Sequence, residues 1–136
     1  MTIRAPRERL VALYLDFAHW PQLFPATIRG VHLVRRQGDE TTIAVDHRTD
    51  GRVINVLRRC SASEVELAEF KPRYAATFVN RFDAIPGGTR YTVVADVHLR
   101  MPYALLAPFL RGVVRRAVRR YVLEPMRTFV ERSASA

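Results

Sequence analysis

Four polar side chains interrupt otherwise apolar alternating runs, and they are the residues of this chain best placed to do chemistry: His47, Asn55, Glu69 and Asn80. Successive side chains of a strand point to opposite faces, so every second residue travels together. By that count Ile43, Val45 and His47 share a face, as do Val65, Leu67 and Glu69, and Tyr74, Phe78, Asn80 and Phe82. Val53, Asn55 and Leu57 do so on one of two readings of their segment. A mainly apolar surface with a few convergent polar groups suits a small molecule, because burial supplies affinity and the polar groups fix orientation. His47 titrates nearest neutrality and is the candidate general acid or base.

Each of the four also has a plainer reading. His47 can be a hydrogen-bonded or hydrated strand-end histidine, and Asn55 and Asn80 can satisfy backbone groups in a hairpin or bulge. Glu69 with Lys71 can be a surface ion pair worth under roughly 1 kcal/mol. Other chemistries find little support. His19, His32, His47 and His98 lack metal-ligand spacing and Cys60 is the single cysteine, so neither a metal site nor a disulfide is expected. There is no glycine-rich phosphate loop and no nucleophile elbow, and Gly87-Gly88 reads as a turn. No cofactor is expected.

The elements that must position these groups follow from period and punctuation. Thr2 to Arg4 reads as a short opening strand, and Pro6 sits in the first turn of a helix over Glu8 to Phe17, whose Leu10, Leu13, Tyr14 and Phe17 form one face. Pro21 and Pro25 confine the next segment to a helical turn or two, with Trp20 as a packing wedge. Turn residues at 37–39, 49–51, 61–63, 71–72 and 86–88 then recur about every ten residues, the mark of an antiparallel meander. They delimit strands Ile28 to Arg36, Thr41 to Arg48, Arg52 to Cys60, Glu64 to Phe70, Tyr74 to Asp83 and Thr89 to Leu99.

A long amphipathic helix, Tyr103 to Arg132, closes the chain. Leu106, Leu110, Val113, Val114, Ala117, Val118 and Tyr121 share one side of it, and Arg111, Arg115, Arg116, Arg119 and Arg120 the other. Pro125 should kink this helix or start a new turn, which rotates Met126, Phe129 and Val130 onto another face. An antiparallel sheet of this size needs cover on one face, and this helix is the long element available. The fold class is α+β.

Three stretches then resemble a known family. Ile3-Arg4-Ala5-Pro6-Arg7-Glu8, followed by Tyr14-Leu15-Asp16-Phe17, Trp20-Pro21 and Phe24-Pro25, is similar to its opening strand, alanine-proline helix start and tryptophan-proline corner. Gly87-Gly88-Thr89-Arg90 is similar to its hairpin between the last two strands, and the closing helix is the third point of likeness. In their order and spacing, over essentially the whole chain, these resemble the START-like helix-grip superfamily, which includes polyketide cyclases and aromatases and ubiquinone-binding proteins. The resemblance implies a curved antiparallel sheet of about seven strands wrapped around the C-terminal helix, with two short helices after the first strand. It also implies a cavity for a hydrophobic ligand between sheet and helix. The opening strand is shorter than is usual there, which leaves open whether residues are missing before Met1.

Combined with the alternation above, that cavity would be lined from the sheet by Val45, Asn55, Leu67, Glu69, Tyr74, Phe78, Asn80, Tyr91, Val93 and Val97. The helix would add Leu106, Leu110, Val113, Val114 and Ala117. Binding or carriage of a lipid, quinone or polyketide-like molecule ranks first, ahead of catalysis. A cyclase or aromatase using His47 ranks second, and a basic surface for anionic membrane or ribosomal RNA third.

At 136 residues the chain is expected to form one domain over 1–132 with a short flexible tail at 133–136. It is 49% hydrophobic and 26% charged, the composition of an ordinary globule. The net charge of +9 is carried by arginines, with Lys71 the single lysine, and favours anionic partners such as a membrane surface. Because the basic residues are scattered, nucleic acid is disfavoured. No apolar run approaches the roughly 20 residues of a membrane span. The lone cysteine and the missing signal-peptide pattern point to a reducing cytoplasm. A monomer or weak homodimer is expected.

Overall fold

Residues 1–101 and 103–135 are described by a computed structural model. The turn residues divide the chain into strands β1 (Thr2–Ile3), β2 (Ile28–Gln37), β3 (Glu40–His47), β4 (Gly51–Arg59), β5 (Glu64–Phe70), β6 (Tyr74–Ile85) and β7 (Gly88–Leu99). They form one antiparallel sheet in the order β1-β7-β6-β5-β4-β3-β2, a meander whose first strand returns to pair with its last. Register shifts in β2 between Ile28 and Gly30 and between Leu33 and Arg35 add the bends that help the sheet curve.

The β6–β7 hairpin explains the glycine pair. Gly87 holds φ at +82°, a left-handed conformation open to glycine, and a Cβ on Gly88 would lie 2.2 Å from the carbonyl oxygen of Ile3. That close approach lets β1 pair with β7, Ile3 opposite Thr89, and the Thr89 hydroxyl donates to the Ala5 carbonyl at 2.7 Å.

Helix α1 (Arg7–Leu15) buries Leu10, Val11 and Tyr14; Pro6 stands at its N-cap, one place earlier than expected, and its carbonyl accepts from Arg9 N. A 3₁₀ turn (Phe17–His19) leads into α2 (Trp20–Leu23), where the buried Trp20 donates its indole N–H to the Tyr14 carbonyl at 3.0 Å.

The closing helix runs as a 3₁₀ turn (Tyr103–Leu106), α3 (Ala107–Val118), a π-turn (Arg119–Leu123) and α4 (Glu124–Ser135). Pro125 has no N–H for the Tyr121 carbonyl and its ring crowds that group, so the chain widens into the π-turn just ahead of it. The break foreseen at Pro125 takes this form. It also separates two kinds of packing. Met126 and Val130 of α4 are fully buried in one cluster with Ile43, Val45, Val65, Phe82 and Tyr91, whereas α3 buries none of its described residues. The same sheet face is therefore solid beneath α4 and hollow beneath α3.

Helix α4 continues into the segment expected as a tail, where Ser133 Oγ donates to the Phe129 carbonyl at 2.8 Å. Ala136, the end of that segment, lies outside the described residues. No helix among the described residues is long and apolar enough to cross a membrane.

Candidate ligand cavity between α3 and the sheet

The hollow beneath α3 is a cavity of about 480 Å³. Leu110, Val113, Val114 and Ala117 face it from the helix, and Leu67, Phe78, Val93 and Val97 from the sheet. Strand pairing brings the latter together, with Leu67 opposite Phe78 and Asn80 opposite Val93. Asn55, Glu69, Tyr74, Asn80 and His47 also lie on its wall.

Three residues expected there lie elsewhere. Val45 and Tyr91 are fully buried in the cluster beneath α4, with the Tyr91 ring stacked 4.5 Å from Phe82. Leu106 is 55% exposed, outside the cavity. Alternation assigns a side chain to the inner face but not to a packed or a hollow part of it. A 3₁₀ turn at three residues per turn shifts Leu106 out of phase with the α-helical stripe that follows.

Asn80 lines the cavity, but its amide is committed to the fold. Nδ2 donates to the Tyr14 hydroxyl at 3.1 Å and to the Val65 carbonyl at 3.2 Å, and Oδ1 accepts from the Tyr91 hydroxyl at 2.5 Å. Burial pushes the ionisation of both tyrosines upward, so both remain neutral donors or acceptors.

Glu69 and Lys71 form no surface pair. Their side chains are only 9% and 12% exposed, with Nζ 3.1 Å from Oε1. Alternation places both on the inner face, and Asp50, from the β3–β4 turn, accepts from Lys71 Nζ at 2.9 Å. The ammonium also stands 5.3 Å from the centre of the Tyr74 ring. Burial acts to lower the Lys71 pKa, but the Glu69 charge and hydrogen bonds to Asp50 and Tyr74 outweigh it and hold the lysine well above its ordinary value. The Lys71 hydrogen bond lowers Asp50 below the ordinary carboxylate range. Burial, then the charges of Glu69 and Asp50, raises Tyr74 against the bond from Lys71.

His47 closes this cluster with Nε2 3.5 Å from Glu69 Oε1, yet that nitrogen is buried and has no hydrogen-bond partner. Burial, reinforced by the Lys71 charge, lowers its pKa below the ordinary 6.5 against the opposing pull of Glu69 and Asp50, so the ring is neutral at neutral pH. Asn55, opposite Glu69 across β4 and β5, is 3% exposed and its Oδ1 is also buried without a partner.

Sequence reasoning missed Tyr14, Trp20, Phe24, Asp50 and Lys71 as cavity residues. One signal was present for Lys71: it is the chain's single lysine and falls on the same alternation as Val65, Leu67 and Glu69. Asp50 had none, because a turn aspartate is ordinarily there for the turn.

Two other hollows are more open to solvent. One of about 600 Å³ lies between residues 22–27 and α4, and one of about 830 Å³ runs between β7 and the arginine side of α3. Among the described residues, neither is lined by a buried side-chain nitrogen or oxygen without a partner.

No protein-family model matches this chain, and neither does any curated protein sequence. Solved structures do match it. The Zhui aromatase/cyclase from Streptomyces sp. R1128 is similar with a TM-score of 0.76 at 13% identity, over 98% of this chain and 92% of its own. A START superfamily protein from Mycobacterium smegmatis gives 0.75 at 15% identity, over 97% and 94%. The di-domain aromatase/cyclase StfQ of the steffimycin biosynthetic pathway gives 0.75 at 14% identity over 100% of this chain, which spans 50% of that longer protein. At such identities the likeness is one of architecture, and with its seven-stranded curved sheet, paired short helices and long closing helix this chain has the START-like helix-grip fold.

Proposed function

We propose that the protein binds and carries a small hydrophobic molecule in the cavity between α3 and the sheet. The observation that supports this most is the stand-off of α3. Its apolar side faces apolar side chains of β5, β6 and β7 across about 480 Å³, yet none of its described residues is buried. Such a surface gains by being filled: a ligand covering about 200 Å² of apolar wall would contribute roughly 5 kcal/mol before the costs of association. Ala117→Trp, which would occupy the cavity from α3, tests the proposal by displacement of a fluorescent hydrophobic probe. Binding should be lost in that variant and unchanged in Phe109→Ser, whose side chain is 76% exposed outside the cavity. Equal probe binding by all three proteins would refute the reading.

Exposure at the start of the closing helix supports loading from a bilayer. Met101, Leu105, Leu106 and Phe109 are exposed, with Arg100 before them and Arg111 after them in sequence. Apolar side chains that protrude beside arginines suit the boundary of an anionic membrane. Co-sedimentation with phosphatidylglycerol vesicles should fall in a Leu105→Ser, Phe109→Ser double variant, and unchanged binding would exclude this route.

A second reading, supported by the two aromatase/cyclase likenesses and by the unpartnered Nε2 of neutral His47, makes the carried molecule a substrate that His47 deprotonates. His47→Gln should then abolish turnover of a poly-β-keto substrate while retaining its binding; undiminished turnover would remove His47 from the chemistry.

A further inference from the structure

We infer that the cavity selects a neutral hydrophobe bearing a hydroxyl group and rejects the carboxylate of the same skeleton. The inference rests on the ligand-binding reading above and adds the chemistry of the ligand's polar end.

The first observation is the balance of charge. Among the described residues lining the cavity, the formally charged side chains are Asp50, Glu69 and Lys71, so two carboxylates stand against one ammonium. Lys71 is already engaged by both carboxylates: its Nζ meets Asp50 Oδ2 at 2.9 Å and Glu69 Oε1 at 3.1 Å, and it stands 5.3 Å from the centre of the Tyr74 ring. A carboxylate entering this cavity would lose its hydration, find no free cation and face one net negative charge.

The second observation is the unspent hydrogen-bonding capacity beside that cluster. Asn55 Oδ1 is buried without a hydrogen-bond partner, and an amide oxygen accepts. His47 Nε2 is likewise without a partner. The two flank Glu69: Asn55 pairs with it across the strands, and His47 Nε2 lies 3.5 Å from its carboxylate. A hydroxyl complements such a pair because it donates and accepts at one atom. A hydrocarbon leaves both groups unsatisfied, a cost that native interiors avoid.

The test compares naphthalene, naphthol, naphthoic acid and naphthylmethylamine as probes of one ring system, by calorimetry on the wild-type protein at pH 7. Naphthol should bind about tenfold tighter than naphthalene, the gain of newly satisfied buried groups, and naphthoate should bind more weakly than either. In Asn55→Leu the advantage of naphthol over naphthalene should shrink severalfold, with an unchanged far-UV circular dichroism spectrum reporting that the variant is folded. If naphthoate or the ammonium compound binds more tightly than naphthol, the inference is overturned and the cavity reading stands. If none of the four binds, the ligand-binding reading itself fails and the inference falls with it.

Discussion

Replacing Lys71 with methionine separates a buried charge cluster from a surface ion pair by a difference large enough to measure. The substitution keeps most of the aliphatic stem and removes the ammonium. Glu69 is then left 9% exposed between strand neighbours Asn55 and Ala76, neither of which neutralises it. Removing one partner of a fully buried pair costs about 3–5 kcal/mol, because the remaining charge is stranded. The residual exposure, and the His47 ring 3.5 Å away that can take up a proton, reduce this to about 2–4 kcal/mol. A surface pair would cost below about 1 kcal/mol. With a urea slope of about 2 kcal/mol/M, the midpoint should fall by roughly 1–2 M on the buried reading and by less than about 0.5 M on the surface one. Adding Glu69→Gln to Lys71→Met should recover part of the loss, since the stranded charge is gone. A fall below about 0.5 M in the single variant, or a double variant no more stable than the single, would refute the argument.

Three further outcomes follow from the same network and from the hairpin. The His47 pKa is depressed in the folded protein, so the unfolded chain binds the extra proton first on acidification; stability is full above about pH 6.5 and declines below it, and His47→Gln should flatten that decline in urea titrations. Asn80→Leu removes the shared partner of the Tyr14 and Tyr91 hydroxyls and should cost about 2–4 kcal/mol by urea denaturation; lost ligand binding at unchanged stability would instead make Asn80 a ligand contact. Gly88→Ala places a Cβ 2.2 Å from a backbone oxygen of β1 and should destabilise by about 2 kcal/mol or more, with the Tyr91 amide, now bonded to the Met1 carbonyl at 2.7 Å, losing protection from hydrogen exchange.

The parts of this molecule that were legible in its sequence are those governed by local rules. Strand bounds agree with expectation to within two residues because each is set by turn residues close along the chain, and β5 (Glu64–Phe70) agrees at both ends. The inner faces follow from alternation: Ile43, Val65, Asn80 and Phe82 all lie buried on the predicted side, and Asn55 is buried in agreement with one of the two readings of its segment. What alternation and the helical wheel lack is depth. They give the direction of a side chain and not the distance to what it faces, so Val45 in the packed cluster and Val93 on the cavity wall look alike in sequence. The Glu69–Lys71 cluster was illegible for a related reason. Proximity along the chain is visible, but burial depends on Asp50, 21 residues away, and on Tyr74.

Pro125 joins the legible part to the illegible one. Its missing N–H, read directly from sequence, requires a break in the closing helix, and the π-turn it produces changes which face each half presents. At about 100° per residue an unbroken α-helix would carry Met126 and Val130 roughly 160° and 200° round from Leu110, away from the sheet, and the wider π-turn rotates them back toward it. With the break, Met126 and Val130 pack solidly while Leu110, Val114 and Ala117 remain at a distance, so one helix supplies both the anchor of the fold and the wall of its cavity. The packing of that anchor thus depends on one residue's backbone chemistry, and the polar end of the cavity, assembled from β3, β4, β5 and the turn at Asp50, is where, on the proposed reading, a ligand's polar group would be met.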